Sequence, residues 1–353
     1  MGTDIKKSII QDIIDEDNNI KNIISDRITT LKNILLEKGV ESDDDTLLGN
    51  INKVKEISAG SNKEIPEWYL KNTWIEAANI PTNRAYLSSN AINNKIYCIG
   101  GYNKTNGALI SNECYDGSNN TWTTKANMIS ERLDFTSSVV DGKIYCIGGG
   151  FNFNVSLYDN ECYDTITDTW STKTIMSNNR RELTSSVVDN KIYCIGGYNG
   201  GYLNYNECYN PLTDTWTSKT KMPSNRYGLT SSVVDGKIYC IGGCNSSYLY
   251  ANECYDPKTN TWTTKAGMGE YRKHLTSSVI NDKIYCIGGI YKSTNYININ
   301  ECYDTKTNTW STKANISSAR EGLTSSVVND NIYCIGGSDK NNNILNNNEC
   351  YIV

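Results

Sequence analysis

The sequence predicts an all-β architecture of six four-stranded antiparallel sheets set radially, with a small α-helical segment ahead of them. Three observations carry this expectation. A phrase close to Lys-Ile-Tyr-Cys-Ile-Gly-Gly recurs six times, ending at Gly100-Gly101, Gly148-Gly149, Gly196-Gly197, Gly242-Gly243, Gly288-Gly289 and Gly336-Gly337. The steps between first glycines are 48, 48, 46, 46 and 48 residues, close to the period of about 50 that marks radial β-repeats. Between copies, short β-branched runs alternate with Asp-Gly and Asn-Asp turns, the pattern of strands joined by tight hairpins.

In chain order, residues 1–58 come first and differ in character. Ile5, Ile9, Ile10, Ile13, Ile14, Ile20, Ile23, Ile24, Ile28, Leu31, Ile34 and Leu35 fall at steps of three, four and seven, which predicts an amphipathic helix ending near Gly39. Ser42 to Asp45 can cap a shorter helix carrying Leu47, Leu48, Ile51, Val54 and Ile57. Asp17 interrupts the apolar seam, so short helices that self-associate or dock on a partner are expected rather than a long coiled coil. Leu35-Leu36-Glu37-Lys38-Gly39-Val40 and Leu47-Leu48-Gly49-Asn50-Ile51 resemble segments of tail proteins from phages of low-GC Gram-positive bacteria. That resemblance implies an attachment module. Residues 59–67 read as a linker.

Residues 68–353 carry the repeat. Each unit opens with an inner strand such as Leu183 to Val188, turns at a pair such as Asp141-Gly142, and runs back through Ile-Tyr-Cys-Ile to the glycine doublet. A loop follows, then Asn-Glu-Cys-Tyr, a polar turn, and a Thr-Trp strand marked by Trp122, Trp170, Trp216, Trp262 and Trp310. A four-stranded sheet cannot bury both faces alone, so six of them packing around an axis form a six-bladed β-propeller. The last unit stops at Val353 without its Trp strand, while Thr73-Trp74 precedes the first unit. The Trp74 segment is therefore expected to supply the outer strand of the last blade.

The doublet, the Glu-x-Tyr and the Trp, in that order, resemble the kelch repeat. In kelch propellers the mouth of the central channel binds partners, so the resemblance implies a recognition face there. Spacing within the chain points to the same end. Each Glu precedes its Trp by nine residues and each Trp precedes the next Arg by ten, whereas the step from the doublet to the Glu is twelve in four units and ten in two. The variable loop is aromatic, with Tyr102, Phe151, Phe153, Tyr158, Tyr198, Tyr202, Tyr248, Tyr250, Tyr291 and Tyr296, among Asn103, Asn152, Asn154, Asn199, Asn245 and Asn295. Tyrosine and asparagine suit recognition of sugars or protein loops, since flat rings lose little entropy and an amide both donates and accepts.

The residues between each Arg and Leu at the start of an inner strand add Tyr86, Asp134, Arg181, Glu182, Tyr227, Lys273 and His274. They vary in size and charge around the ring, as a surface reading an asymmetric ligand must.

Other residues that look chemical read as structural. Twelve of the thirteen cysteines occupy two fixed strand positions and are expected as reduced core packing; Cys244 lies outside the pattern and is expected to be the most reactive thiol. Six arginines and six glutamates match one for one, which predicts buried ion pairs repeated per blade. His274 is the only histidine, which excludes multi-histidine metal sites. No cofactor or metal is expected.

Of the formal charge of −5, most resides in the first sixty residues, and a nearly neutral propeller argues against nucleic acid. No signal sequence or membrane-spanning run is present, so synthesis in the cytoplasm is expected, compatible with release on a virion or tail-like particle. The first expectation is thus a non-enzymatic recognition module for a carbohydrate or protein receptor. An intracellular protein-interaction scaffold is the second. A sugar-active enzyme of the sialic acid mutarotase type is the third, with Arg181, Glu182, Lys273 and His274 as its acid/base set.

Overall fold

A computed structural model describes residues 71–292 and 294–353. The helices expected in residues 1–58 lie outside the described residues.

Six four-stranded antiparallel sheets are present. In the second blade the order from the axis outward is Thr136–Val140, Lys143–Ile147, Asn160–Asp164 and Thr169–Thr172. Asp141 and Gly142, both at positive φ, make the first turn, as a two-residue hairpin with right-handed twist requires. The polar turn before the last strand likewise holds Asp168 at φ 55°, and the Tyr163 hydroxyl donates to its carboxylate at 2.6 Å. The second strand is buried along Ile144 to Ile147, so it forms the core between neighbouring blades. In that core Ile144 and Cys146 pack with Tyr97 and Ile99 of the first blade.

Each outer Trp ties its blade to the preceding linker. The Trp170 indole donates to Ala126 O at 2.8 Å and packs on Tyr163 with ring centroids 5.0 Å apart. Thr73–Ala77 pairs with Asn348–Ile352 in the sixth blade, with Trp74 opposite Tyr351. The Trp74 indole repeats the tie, donating to Ala314 O at 2.7 Å. The two ends of the described chain therefore share one sheet.

Two further rings fasten the blades near the axis. A serine in each inner strand hydrogen-bonds two side chains of the preceding blade: Ser185 reaches Thr136 and Ser138, both at 2.7 Å, and Ser89 reaches Thr324 and Ser326, both at 2.8 Å. This polar belt closes all the way around. Outside it, each arginine is fully buried beside a glutamate of its own blade's third strand, as with Arg272 and Glu301 at 2.8 Å and Arg320 and Glu349 at 2.7 Å. The glycine doublet packs on the next arginine: Gly149 N–H donates to Arg180 O at 2.9 Å, and a Cβ on Gly148 would lie 2.6 Å from that oxygen.

All thirteen cysteines are free and buried. Cys244 is buried too, at 6% the most exposed of the thirteen, and burial raises its pKa. Its bridges to Tyr227 and Tyr248 fold it under the loop.

Candidate functional site at the channel mouth

The loop after each doublet bridges to the residue that follows the blade's arginine, as in Arg181 with Tyr198 and Lys273 with Ile290. The variable loops and the Arg-x-x-Leu segments therefore build one face. At its centre, Tyr86, Asp134, Glu182, Gly228, His274 and Gly322 line an axial pocket of about 100 Å³, floored by Leu87, Phe135, Leu183, Leu229, Leu275 and Leu323.

The six lining residues are joined by a circuit of backbone hydrogen bonds. Tyr86 N–H donates to Gly322 O, Asp134 to Tyr86, Glu182 to Asp134, Gly228 to Glu182, His274 to Gly228, and Gly322 to His274, at 2.7 to 3.1 Å. The circuit closes on itself. Every member sits at positive φ, between 52° and 62°. For Tyr86, Asp134, Glu182 and His274 that conformation costs roughly 1 to 2 kcal/mol each, and the closed circuit holds them there.

The side chains on this ring interact across the axis. His274 Nε2 lies 2.6 Å from Glu182 Oε2, and its Nδ1 lies 2.7 Å from Glu321 Oε2. Burial and Lys273 push the histidine's pKa down, yet the two carboxylates outweigh them and carry it up to about 9. Burial works to raise Glu182, but His274, Lys273 and Arg181 hold it below the ordinary carboxylate value; Glu321 is held down in the same way by His274 and Lys273. Asp134 behaves oppositely. Burial, and then the Glu182 charge, push it up to about 8, and among the described residues its carboxyl has no hydrogen-bond partner.

Three aromatic groups form among the loops and linkers of this face. Phe153 packs edge-on against Tyr86 and Tyr102 at 5.6 and 5.2 Å, and Tyr86 meets His274 at 5.5 Å. Tyr202 stacks on Tyr227 at 5.7 Å beside Tyr198, with Arg181 4.9 Å over Tyr198 and Lys273 4.6 Å over Tyr227. Tyr248, Tyr291, Tyr271 and Tyr250 form a run of ring contacts, the closest being Tyr250 with Tyr271 at 4.6 Å.

Of the residues the sequence singled out, Tyr86, Asp134, Glu182 and His274 line the pocket, and Tyr102, Phe153, Arg181, Tyr198, Tyr202, Tyr227 and Lys273 adjoin them through those contacts. Tyr248, Tyr250 and Tyr291 belong to the third group, and half-buried Tyr296 reaches Asn342 at 3.5 Å. Phe151 lies instead in a pocket between the first two blades, and exposed Tyr158 has no ring partner among the described residues. Several loop asparagines are corrected too: Asn103, Asn152 and Asn245 spend their carbonyls on loop N–H groups, so they shape the loops. Glu321 was legible on this face as a residue between an Arg and a Leu, though not chosen as a candidate, while Tyr271 of the third aromatic group was missed.

Among the described residues no group of His, Cys, Asp or Glu is placed to hold a metal ion. What the mouth can do is accept hydrogen bonds at Asp134, offer cations at Arg181 and Lys273, and present ring faces.

A family profile for the KLHDC2/KLHL20/DRC7 Kelch-repeats domain matches residues 62–197 and 182–352. This chain belongs to the kelch-repeat family. Kelch propellers generally bind protein partners. Among solved structures, that of YjhT is similar in fold, with a TM-score of 0.68 and 17% identity over 77% of this chain and 95% of that one. No curated protein matches the sequence.

Proposed function

We propose that this kelch propeller is a non-enzymatic recognition module whose channel mouth binds a carbohydrate or protein receptor. The Asp134 carboxyl carries this reading. It is 9% exposed, lines the axial pocket and takes no side-chain hydrogen bond from the described residues. A ligand hydroxyl or N–H would supply one, while the flanking rings would supply contact area. The test is binding of the full chain to a glycan array and to Gram-positive cell-wall polysaccharides, beside Asp134→Leu, which keeps bulk and removes the acceptor. Saturable binding lost in the variant supports the reading; binding that survives it overturns the assignment of the pocket. If no glycan binds, the protein-receptor branch is what stays open.

Residues 1–58 would join the propeller to a particle or to other copies, on the strength of the apolar repeat from Ile5 to Leu35. Sedimentation of the full chain checks self-association; a monomer at every concentration argues against it.

One observation favours an enzymatic alternative. Asp134 near 8 and Glu182 held low place two carboxyls of separated proton affinity in one pocket, the pattern of an acid/base pair. Accelerated exchange between sugar anomers, followed by NMR and abolished by Glu182→Gln, would establish it over the binding reading.

A further inference from the structure

Away from the mouth, the seam between the first two blades holds a larger pocket of about 470 Å³, lined by Ile110, Ile129, Ser130, Glu131, Phe151, Leu157 and Asp159. Its volume falls within the range of about 300 to 1,000 Å³ seen for ligand sites. Ile129, Phe151 and Ile110 are 53, 44 and 39% exposed, and clustered exposed apolar side chains mark interaction sites.

Comparison between blades shows what is particular to this seam. The residue before the buried arginine is asparagine in three linkers, and its amide donates to a carbonyl of the preceding loop: Asn83 to Ile344, Asn179 to Ser156 and Asn225 to Tyr202, at 3.1, 3.1 and 3.4 Å. Glu131 occupies that position in the first linker, and a carboxylate cannot donate to a carbonyl. Three residues ahead of Glu131, Met128 is buried; the position after it holds Ile129, where the other linkers carry Pro81, Ser177, Pro223, Gly269 and Ser317. Tyr271 and Ala319 lack this donor in two other linkers, but only the first linker combines its loss with a large apolar residue after the buried position.

The charges select the occupant. Asp116, Asp164, Asp256 and Asp304 pair with strand lysines at 2.8 to 3.8 Å. Glu131 and Asp159 have no side-chain hydrogen bond or ion pair among the described residues, although they flank an apolar surface that would strengthen one.

We propose that this seam binds a peptide segment of a protein partner in which a large apolar residue neighbours an arginine or lysine. The apolar side chain occupies the surface of Ile110, Ile129, Phe151 and Leu157, and the cation lies between Glu131 and Asp159.

The test uses the full chain labelled at isoleucine and leucine methyls and titrated with the blocked tetrapeptide acetyl-Gly-Leu-Arg-Gly-amide. Saturable shifts at Ile110 and Ile129 are expected with a dissociation constant of about 1 mM. They should weaken about tenfold for the Glu131→Gln, Asp159→Asn double variant, and equally for acetyl-Gly-Leu-Glu-Gly-amide. Four results overturn the proposal: no shift at about 10 mM peptide, equal response to both peptides, unchanged affinity in the variant, or shifts confined to Leu87 and Leu275 at the axis. Concentration-dependent shifts of Ile110 and Ile129 without peptide would make the occupant a second copy of the chain and also overturn it.

Discussion

Glu182 and His274 stand two blades apart in the ring, yet their side chains meet at 2.6 Å over the axial pocket. Because Glu321 closes on the other ring nitrogen at 2.7 Å, one imidazole links three blades. A protonated ring can donate to both carboxylates, whereas a neutral one donates to only one.

The histidine's titration should show this directly. His274 is the sole histidine, so its ring signals in an NMR titration need no assignment. The expected midpoint is about 9, falling in Glu182→Gln or Glu321→Gln, since removing an anion removes what favours the charged ring. A raised folded value means the contribution to stability is fully present below the ordinary value of about 6.5 and is lost as pH rises through about 9. Asp134, raised to about 8, is protonated in the fold where the unfolded chain is ionised, so it also makes stability fall as pH rises toward that value. Glu182 and Glu321 act in the opposite sense, losing their contribution as pH falls into the acid range. A midpoint at or below the ordinary histidine value would refute the paired arrangement.

Trp74 should be costly to truncate. It is buried, packs with its ring centroid 5.1 Å from that of Tyr351 and donates a hydrogen bond to Ala314 O. Trp74→Ala is expected to cost about 3 to 5 kcal/mol in urea unfolding. Deleting residues 66–78 removes the strand altogether and should abolish cooperative melting; an unchanged transition would mean that the ring holds without this strand.

The buried ion pairs should be replaceable but not divisible. Arg320→Met leaves Glu349 buried without its cation and should cost about 3 to 5 kcal/mol. Adding Glu349→Leu should recover most of that loss, read as the difference in midpoint between single and double variants in guanidinium chloride. An additive loss would instead show that the pair's hydrogen bonds dominate over its charge.

The thiols should be silent. With all thirteen buried, Ellman's reagent should label none in the native protein, Cys244 included, and all after unfolding. Fast stoichiometric labelling of one thiol would contradict the buried position of Cys244.

The fold was legible because its signals are local and repeated. Asp141-Gly142, the Ile-Tyr-Cys-Ile strand and the Trp strand each state a conformation within a few residues, and six copies make the reading robust. The axial residues were legible for the same reason, since their offset from each arginine is constant. What could not be read was radial distance along a loop. Phe151 and Phe153 are two residues apart, yet Phe153 packs on Tyr86 while Phe151 points into the seam between blades. Nothing in composition separates them. Tyr271 carried a usable signal, because it stands where Asn83, Asn179 and Asn225 stand in other linkers. Glu321 carried one too, at the same offset from its arginine as Arg181 and Lys273, but its tie to His274 of the neighbouring blade could not be read.

The circuit through Tyr86, Asp134, Glu182, Gly228, His274 and Gly322 has an evolutionary reading. Its hydrogen bonds ask nothing of the side chains, only that six peptides keep their places. Phenol, carboxylic acid, imidazole and bare glycine already occupy equivalent posts within this one chain. The mouth is thus a set of interchangeable sockets, in which new ligand preferences can arise one substitution at a time without renegotiating the architecture beneath.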